Sequence, residues 1–146
     1  MKRVWIAAAL LIAAVAAIVF FRMQNPSLGI TQGDIDSLMD NAEAFIGQVE
    51  DLSKDTTISA DERKDKMIAF VNARGVTGEN ALLKIEAIAF AASYYVMIEL
   101  PPARLAAQRE TGPLPFLEEN MKKLHPKDRM LLDENREQLK KFAEQH

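Results

Sequence analysis

The first hydrophobic pattern along the chain is an unbroken apolar run over residues 4–21. It contains no charged side chain, and as an α-helix it would rise about 27 Å, close to the roughly 30 Å of hydrocarbon in a bilayer. Lys2 and Arg3 precede the run, whereas Arg22 is the single basic residue in the stretch that follows. The pattern therefore predicts a membrane anchor over residues 1–24, with its N-terminus in the cytoplasm.

A cleaved signal peptide is the alternative interpretation of this segment. Such peptides have a shorter apolar core and small residues just before the cleavage site. Ser27-Leu28-Gly29, directly after Pro26, would be that site, so a signal peptide would extend to residue 29. Because the apolar run is long for a cleaved peptide, we favour an anchor that is retained.

Small residues recur within the apolar run: Ala9, Ala13 and Ala17 lie four positions apart. This spacing places them on one face of a helix, where small side chains let another membrane helix approach closely. The segment is rich in alanine throughout, which is the simpler explanation of the pattern. The three alanines are our candidate contacts for packing between membrane helices.

The pattern changes after the anchor. Residues 25–33 contain Pro, Gly and Ser and predict a linker, and residues 34–146 are long enough for one small domain with its own core. No stretch shows sustained alternation of apolar and polar residues, as a half-buried strand would. The predicted fold is all-α, with a single N-terminal transmembrane helix followed by a small helical bundle.

Two capping boxes mark the first helices of the domain. Thr31 with Asp34 precedes a long amphipathic stripe, which predicts one helix of about five turns. Ser59 with Glu62 precedes a shorter helix, which Gly75 is expected to end. Both helices have one apolar face, so both are expected to pack on a common core.

A third segment, NALLKIEAIAFAASYYVMIELPP over residues 80–102, is apolar nearly all round. A helix of this kind must be buried on nearly every side, so the segment predicts a buried central helix, with Thr77 as its cap. A helix shared with a partner protein is the alternative. Lys84 and Glu86 leave too short an apolar run for a second membrane span.

The rest of the chain predicts shorter helices. One is expected over about 103–110, one from near Pro115, and a final amphipathic helix from His125-Pro126. The sequence shows no internal repeat and no long heptad pattern, which argues against a rod-like coiled coil.

Composition excludes several kinds of chemistry. The sequence has no cysteine, which excludes disulfides and thiolate catalysis. Basic residues near the C-terminus alternate with acidic ones, so nucleic acid is not an expected partner. His125 and His146 have no further ligands placed nearby, and no catalytic or cofactor motif occurs, so we expect no metal site, no cofactor and no catalytic residue. Glu99, at the end of the third helix, is the candidate for a carboxylate in apolar surroundings, but an ion pair with a nearby arginine such as Arg104 is the favoured interpretation.

The candidate partner contacts are two groups of aromatic and apolar residues. Tyr94 and Tyr95 point about 100° apart on the third helix, so one is expected to pack inward and the other to reach the surface. Leu114 and Phe116, between prolines, form a rigid apolar corner that docks into a partner or folds over the third helix. Core packing is the alternative for both groups.

These features favour a non-catalytic accessory or regulatory subunit of a bacterial envelope membrane-protein complex, acting through protein contacts. The protein would cross the inner membrane once and place its domain in the periplasm, and a homo-oligomer is left open. One alternative is a cleaved, soluble periplasmic inhibitor or immunity-type protein that binds through its acidic first helix. The other is an enzyme that uses carboxylates in a cleft.

Overall fold

The computed structural model describes residues 27–78 and 80–145, and this part of the chain forms eight α-helices and no strand. The helices are α1 (Gln32–Asp40), α2 (Ala42–Lys54), α3 (Ala60–Asn72), α4 (Ala81–Met97), α5 (Pro102–Glu110), α6 (Leu114–Lys123), α7 (Pro126–Glu134) and α8 (Arg136–Gln145). The prediction of an all-α bundle is confirmed for these residues.

The predicted anchor, together with Ala9, Ala13 and Ala17, lies outside the described residues. Among the helices of 27–78 and 80–145, none is both long and apolar enough to cross a membrane. The anchor and its packing face therefore stay predictions.

Helix α4 is the centre of the bundle, as its nearly uniform apolar surface predicts. It packs against α1, α3, α6 and α8, and buried residues occur along its whole length. Burial of apolar area is the main favourable term in folding, at about 25 cal/mol for each Å² removed from water. The residues buried on this helix are Ala81, Leu83, Ile85, Glu86, Ala87, Ile88, Ala89, Phe90, Ala91, Ala92, Tyr95 and Met97.

Two predicted helices are each divided in the structure, and both divisions occur at an asparagine. The long first helix breaks at Asn41, whose side-chain amide donates to the Ser37 carbonyl at 2.9 Å. The final helix breaks at Asn135, whose amide donates to the Leu131 carbonyl at 2.9 Å. Side-chain bonds of this kind compete with the helical backbone ladder, and buried apolar residues continue on both sides of each break.

Both predicted capping boxes are present. Thr31 and Asp34 bond each other's backbone N–H groups at the start of α1, and Ser59 and Glu62 do the same at α3. Asp34 has a second contact, because Lys84 Nζ on α4 lies 3.2 Å from its carboxylate. Both side chains are nearly buried, so this ion pair joins the first helix to the central one.

The entry into the central helix differs from the prediction. Gly75 adopts a φ of +94°, a conformation that favours glycine, and follows the end of α3 as expected. Thr77 does not cap α4, which begins at Ala81 after Asn80, a residue without a side-chain capping bond. Instead, the Thr77 carbonyl accepts from Lys84 Nζ at 3.3 Å.

Candidate functional site

The two adjacent tyrosines divide between core and surface. Tyr95 is 2% exposed and its hydroxyl donates to Asp133, whereas Tyr94 is half-buried. Burial, together with that hydrogen bond, raises the pKa of Tyr95 above its ordinary value. The guanidinium of Arg129 lies 5.5 Å from the centroid of the Tyr94 ring. Tyr95 is therefore a packing residue, and Tyr94 alone of the pair remains a candidate partner contact.

The apolar corner between the prolines divides in the same way. Leu114 is fully buried, at 0% exposure, so its place is the core and not a partner interface. Phe116 is half-buried and packs edge-on against Phe90, with ring centroids 5.5 Å apart. The corner thus folds over the central helix, and Phe116 keeps part of its ring in solvent.

These residues belong to a second apolar cluster, which we call the outer cluster and which adjoins the main core through Tyr94 and Ile98. Its buried members are Phe90, Met97, Leu114 and Leu117, and its partly buried members are Tyr94, Ile98, Leu100, Leu105 and Phe116. Helix α5 contributes to it although no residue of that helix is buried. The outer cluster is therefore covered on one side by a helix that has no buried residue of its own.

The carboxylate in apolar surroundings is not the one that the sequence indicated. Glu99 is exposed, and its oxygens lie 2.7 Å from Arg136 and 2.6 Å from Lys140, not beside Arg104. The hydrogen bond from Lys140 is the main reason that the pKa of Glu99 lies below its ordinary value. The favoured ion pair with an arginine is therefore present, but its partner is Arg136 because Glu99 lies beyond the last residue of α4, where it faces the basic side chains of α8.

Glu86 is the buried carboxylate instead. It is 4% exposed, and its Oε2 has no hydrogen-bond partner among the described residues. Burial raises the pKa of Glu86 to about 8. It lines a cavity of about 10 Å³ with Leu83, Phe90 and Asn120, enough for a single water molecule. The sequence signal for this site was the position of Glu86 within a segment that is otherwise almost entirely apolar.

The described residues offer little other chemistry. They contain no group of three or more His, Asp and Glu side chains placed to hold a metal ion. His125 has a capping role, since its Nδ1 accepts from the Lys127 N–H at the start of α7. The cavity beside Glu86 has no room for a substrate larger than water.

The stretch predicted as a linker is partly docked in the core. Leu28 and Ile30 are 5% and 8% exposed, and both backbone N–H groups donate to the buried Asp128 on α7. The two bonds measure 2.7 Å and 3.1 Å. Gly29 between them has a φ of +67°, which lets both N–H groups face one carboxylate, in the manner of an anion-binding nest. We call this arrangement the N-terminal clip.

We expect Asp128→Asn to destabilise the domain by about 2–3 kcal/mol, because the amide replaces one acceptor with a donor that faces a buried N–H group. Urea unfolding measures this, and limited proteolysis should show faster cleavage near residues 28–30. Asp40→Asn, at an exposed position, is the matched control and should change stability by less than about 0.5 kcal/mol. Equal effects of the two variants would contradict a structural role for the clip.

No family model, curated protein or solved structure matches this chain.

Proposed function

We propose that this protein is a non-catalytic accessory or regulatory subunit of a bacterial envelope membrane-protein complex. Residues 1–24 hold it in the inner membrane, and the periplasmic helical domain binds the partner through the outer cluster. The observation that carries the proposal is that five apolar side chains of this cluster are only partly covered. A group of partly exposed apolar and aromatic side chains is a feature of protein interaction sites.

Helix α5 supports this assignment because it is weakly held. It has no buried residue, and it packs against α6 with Leu105 only partly buried. The ion pair between Arg109 and Glu118, 3.4 Å apart, is largely exposed and contributes little stability. Elements with few buried contacts move at low free-energy cost, so α5 can adjust its position when a partner covers the cluster.

Retention of the anchor is supported by the N-terminal clip. Cleavage after Gly29 would remove Leu28, which is a core residue. Burying a leucine side chain contributes roughly 1.5–3 kcal/mol, and that contribution would be lost. The intact chain therefore completes the core better than a chain that begins at Ile30.

The soluble inhibitor is retained as a second candidate because of one contact. Cleavage after Gly29 would turn the Ile30 nitrogen, now 3.1 Å from Asp128, into an ammonium group paired with a buried carboxylate. Intact mass of the membrane-extracted protein separates the two candidates. A mature chain that begins at Ile30 would favour the soluble inhibitor and overturn the anchor.

The partner contact is tested by recovery of cross-linked proteins with the detergent-extracted full chain. We expect Phe116→Ala to lower partner affinity by about 10-fold or more, as truncation of an aromatic interface anchor does. Phe70→Ala, at another half-buried ring that packs on Phe45, is the matched control and should leave recovery unchanged. Equal losses for both variants would indicate a stability effect rather than a contact.

The same assay tests the membrane helix. Ala13→Leu should obstruct close approach of a neighbouring helix and lower recovery, whereas Ala14→Leu, about 100° around the helix, should do less. If recovery is unaffected by these changes, the anchor is only a tether. If no protein is recovered with the unmodified chain, the subunit proposal fails.

A further inference from the structure

The end of α6 and the outer side of α7 form an open groove of about 650 Å³. Its apolar lining includes Met121, Leu124, Pro126 and Met130. Met130 is 60% exposed and is the exposed large hydrophobic side chain in the described part of the chain. Its side chain extends the apolar lining of the groove.

The charges around the groove favour an anionic surface. Lys122 and Lys127 are exposed and have no ion pair among the described residues. Arg129 and Asp133 neutralise each other at 3.1 Å, which leaves Lys122 and Glu134 as the other charged residues of the lining, with Lys127 next to Pro126 in the chain. Lysine side chains close to an anionic lipid surface strengthen binding to it.

The N-terminal clip fixes where the preceding chain meets the domain. Asp128 holds residues 28–30 on the inner side of α7, and Met130 lies about 200° around the same helix. The chain thus enters within one helix diameter, about 10 Å, of the groove. Six residues, 22–27, separate the apolar run from the clip. Fully extended, they reach about 20 Å.

We propose that the groove, with Met130, Lys122 and Lys127, is the surface through which the domain rests on the lipid headgroups of the membrane that holds residues 1–24. This inference depends on the proposed anchor. A tether of at most about 20 Å keeps the N-terminal clip close to the bilayer, and with it α7 and the start of α1. At the boundary between headgroups and hydrocarbon, the methylene chains of the lysines and the side chain of Met130 can contact lipid while the lysine ammonium groups stay among the headgroups.

This surface is distinct from the outer cluster, which is proposed to bind the protein partner. Contact with the membrane through α7 would fix the orientation of the domain. It would therefore present the outer cluster to the partner in one direction, which lowers the orientational cost of association.

The test uses the full chain in vesicles of phosphatidylcholine, with or without phosphatidylglycerol. Because the sequence has no cysteine, Met130→Cys provides a single site for an environment-sensitive fluorophore. Lys64→Cys is the matched control, at an exposed position on α3, which packs against α2 and α4. Nitroxide lipids labelled at the headgroup should quench the fluorophore at position 130 several-fold more than at position 64. Quenching at position 130 should increase with phosphatidylglycerol.

Charge reversal supplies the second measurement. Lys122→Glu combined with Lys127→Glu should lower quenching at position 130 in the anionic vesicles, while flotation shows the protein still bound to them. Equal quenching at the two positions, with the protein still bound, overturns this inference and leaves the anchor in place. Protection of position 130 only after a membrane protein fraction is added would show a protein occupant and overturn it as well. Loss of the protein from the vesicles during alkaline flotation overturns the anchor and this inference together.

Discussion

Replacing Ala92 with lysine is expected to unfold the helical domain. Ala92 is 1% exposed and lies on α4, with the main core around it. A buried ammonium without a partner costs several kcal/mol, and the longer side chain has no space in a packed interior. Because the whole free energy of unfolding of such a domain is about 5–15 kcal/mol, one such cost removes much or all of it.

Thermal melts of residues 27–146, followed by circular dichroism, provide the measurement. Ala69→Lys is the matched control, since Ala69 is an exposed alanine within α3, and its melting temperature should stay close to that of the unmodified chain. An unchanged melting temperature for Ala92→Lys would mean that this face of α4 is open to solvent. The alternative of a helix shared with a partner would then explain its apolar surface better.

The second large effect concerns pH. Burial raises the pKa of Glu86 from 4.5 to about 8, so between these values the folded chain holds a proton that the unfolded chain has released. The free energy of unfolding should therefore decrease as pH rises through this window, by up to about 1.4 kcal/mol per pH unit. Below pH 4.5 both states are protonated, and above pH 8 both are ionised, so this contribution to the slope disappears.

Glu86→Gln keeps the size of the side chain and cannot ionise. We expect it to flatten the pH dependence between pH 5 and 8 and to make the domain more stable than the unmodified chain at pH 8. Urea unfolding at several pH values measures this, with Glu144→Gln at an exposed position as the matched control. The same slope in Glu86→Gln and in the unmodified chain would show that another group is responsible.

The two effects have a common origin in the central helix. Helix α4 is buried on nearly all sides, which makes a new charge at Ala92 costly and keeps Glu86 protonated at neutral pH. The single-water cavity beside Glu86 provides limited solvation for its carboxylate, so ionisation places a charge in apolar surroundings. A charge on this helix, whether introduced at Ala92 or formed by ionisation of Glu86, therefore lowers the free energy of unfolding of the domain.

Local sequence determined the helical class of the domain and much of its internal order. Capping boxes such as Thr31 with Asp34 and the stop at Gly75 depend on residues within one or two turns, so spacing alone predicts them. The burial of α4 follows from its apolar surface. Because that surface extends around nearly the whole helix, packing on one side would leave much of it in water. The anchor over residues 1–24 is likewise a prediction of the sequence, from its apolar length and flanking charges.

Tertiary structure decided the features that join distant parts of the chain. Asp128 meets Leu28 across 100 positions, and Glu99 finds Arg136 and Lys140 instead of its near neighbour Arg104. Helical spacing shows which residues share a face but not which other helix covers that face. Tyr95 and Leu114 are buried only because other helices pack over them. This burial, which removes both from the candidate partner contacts, could not be predicted from helical spacing. The reason is that burial is a property of the assembled surface, to which every packed helix contributes.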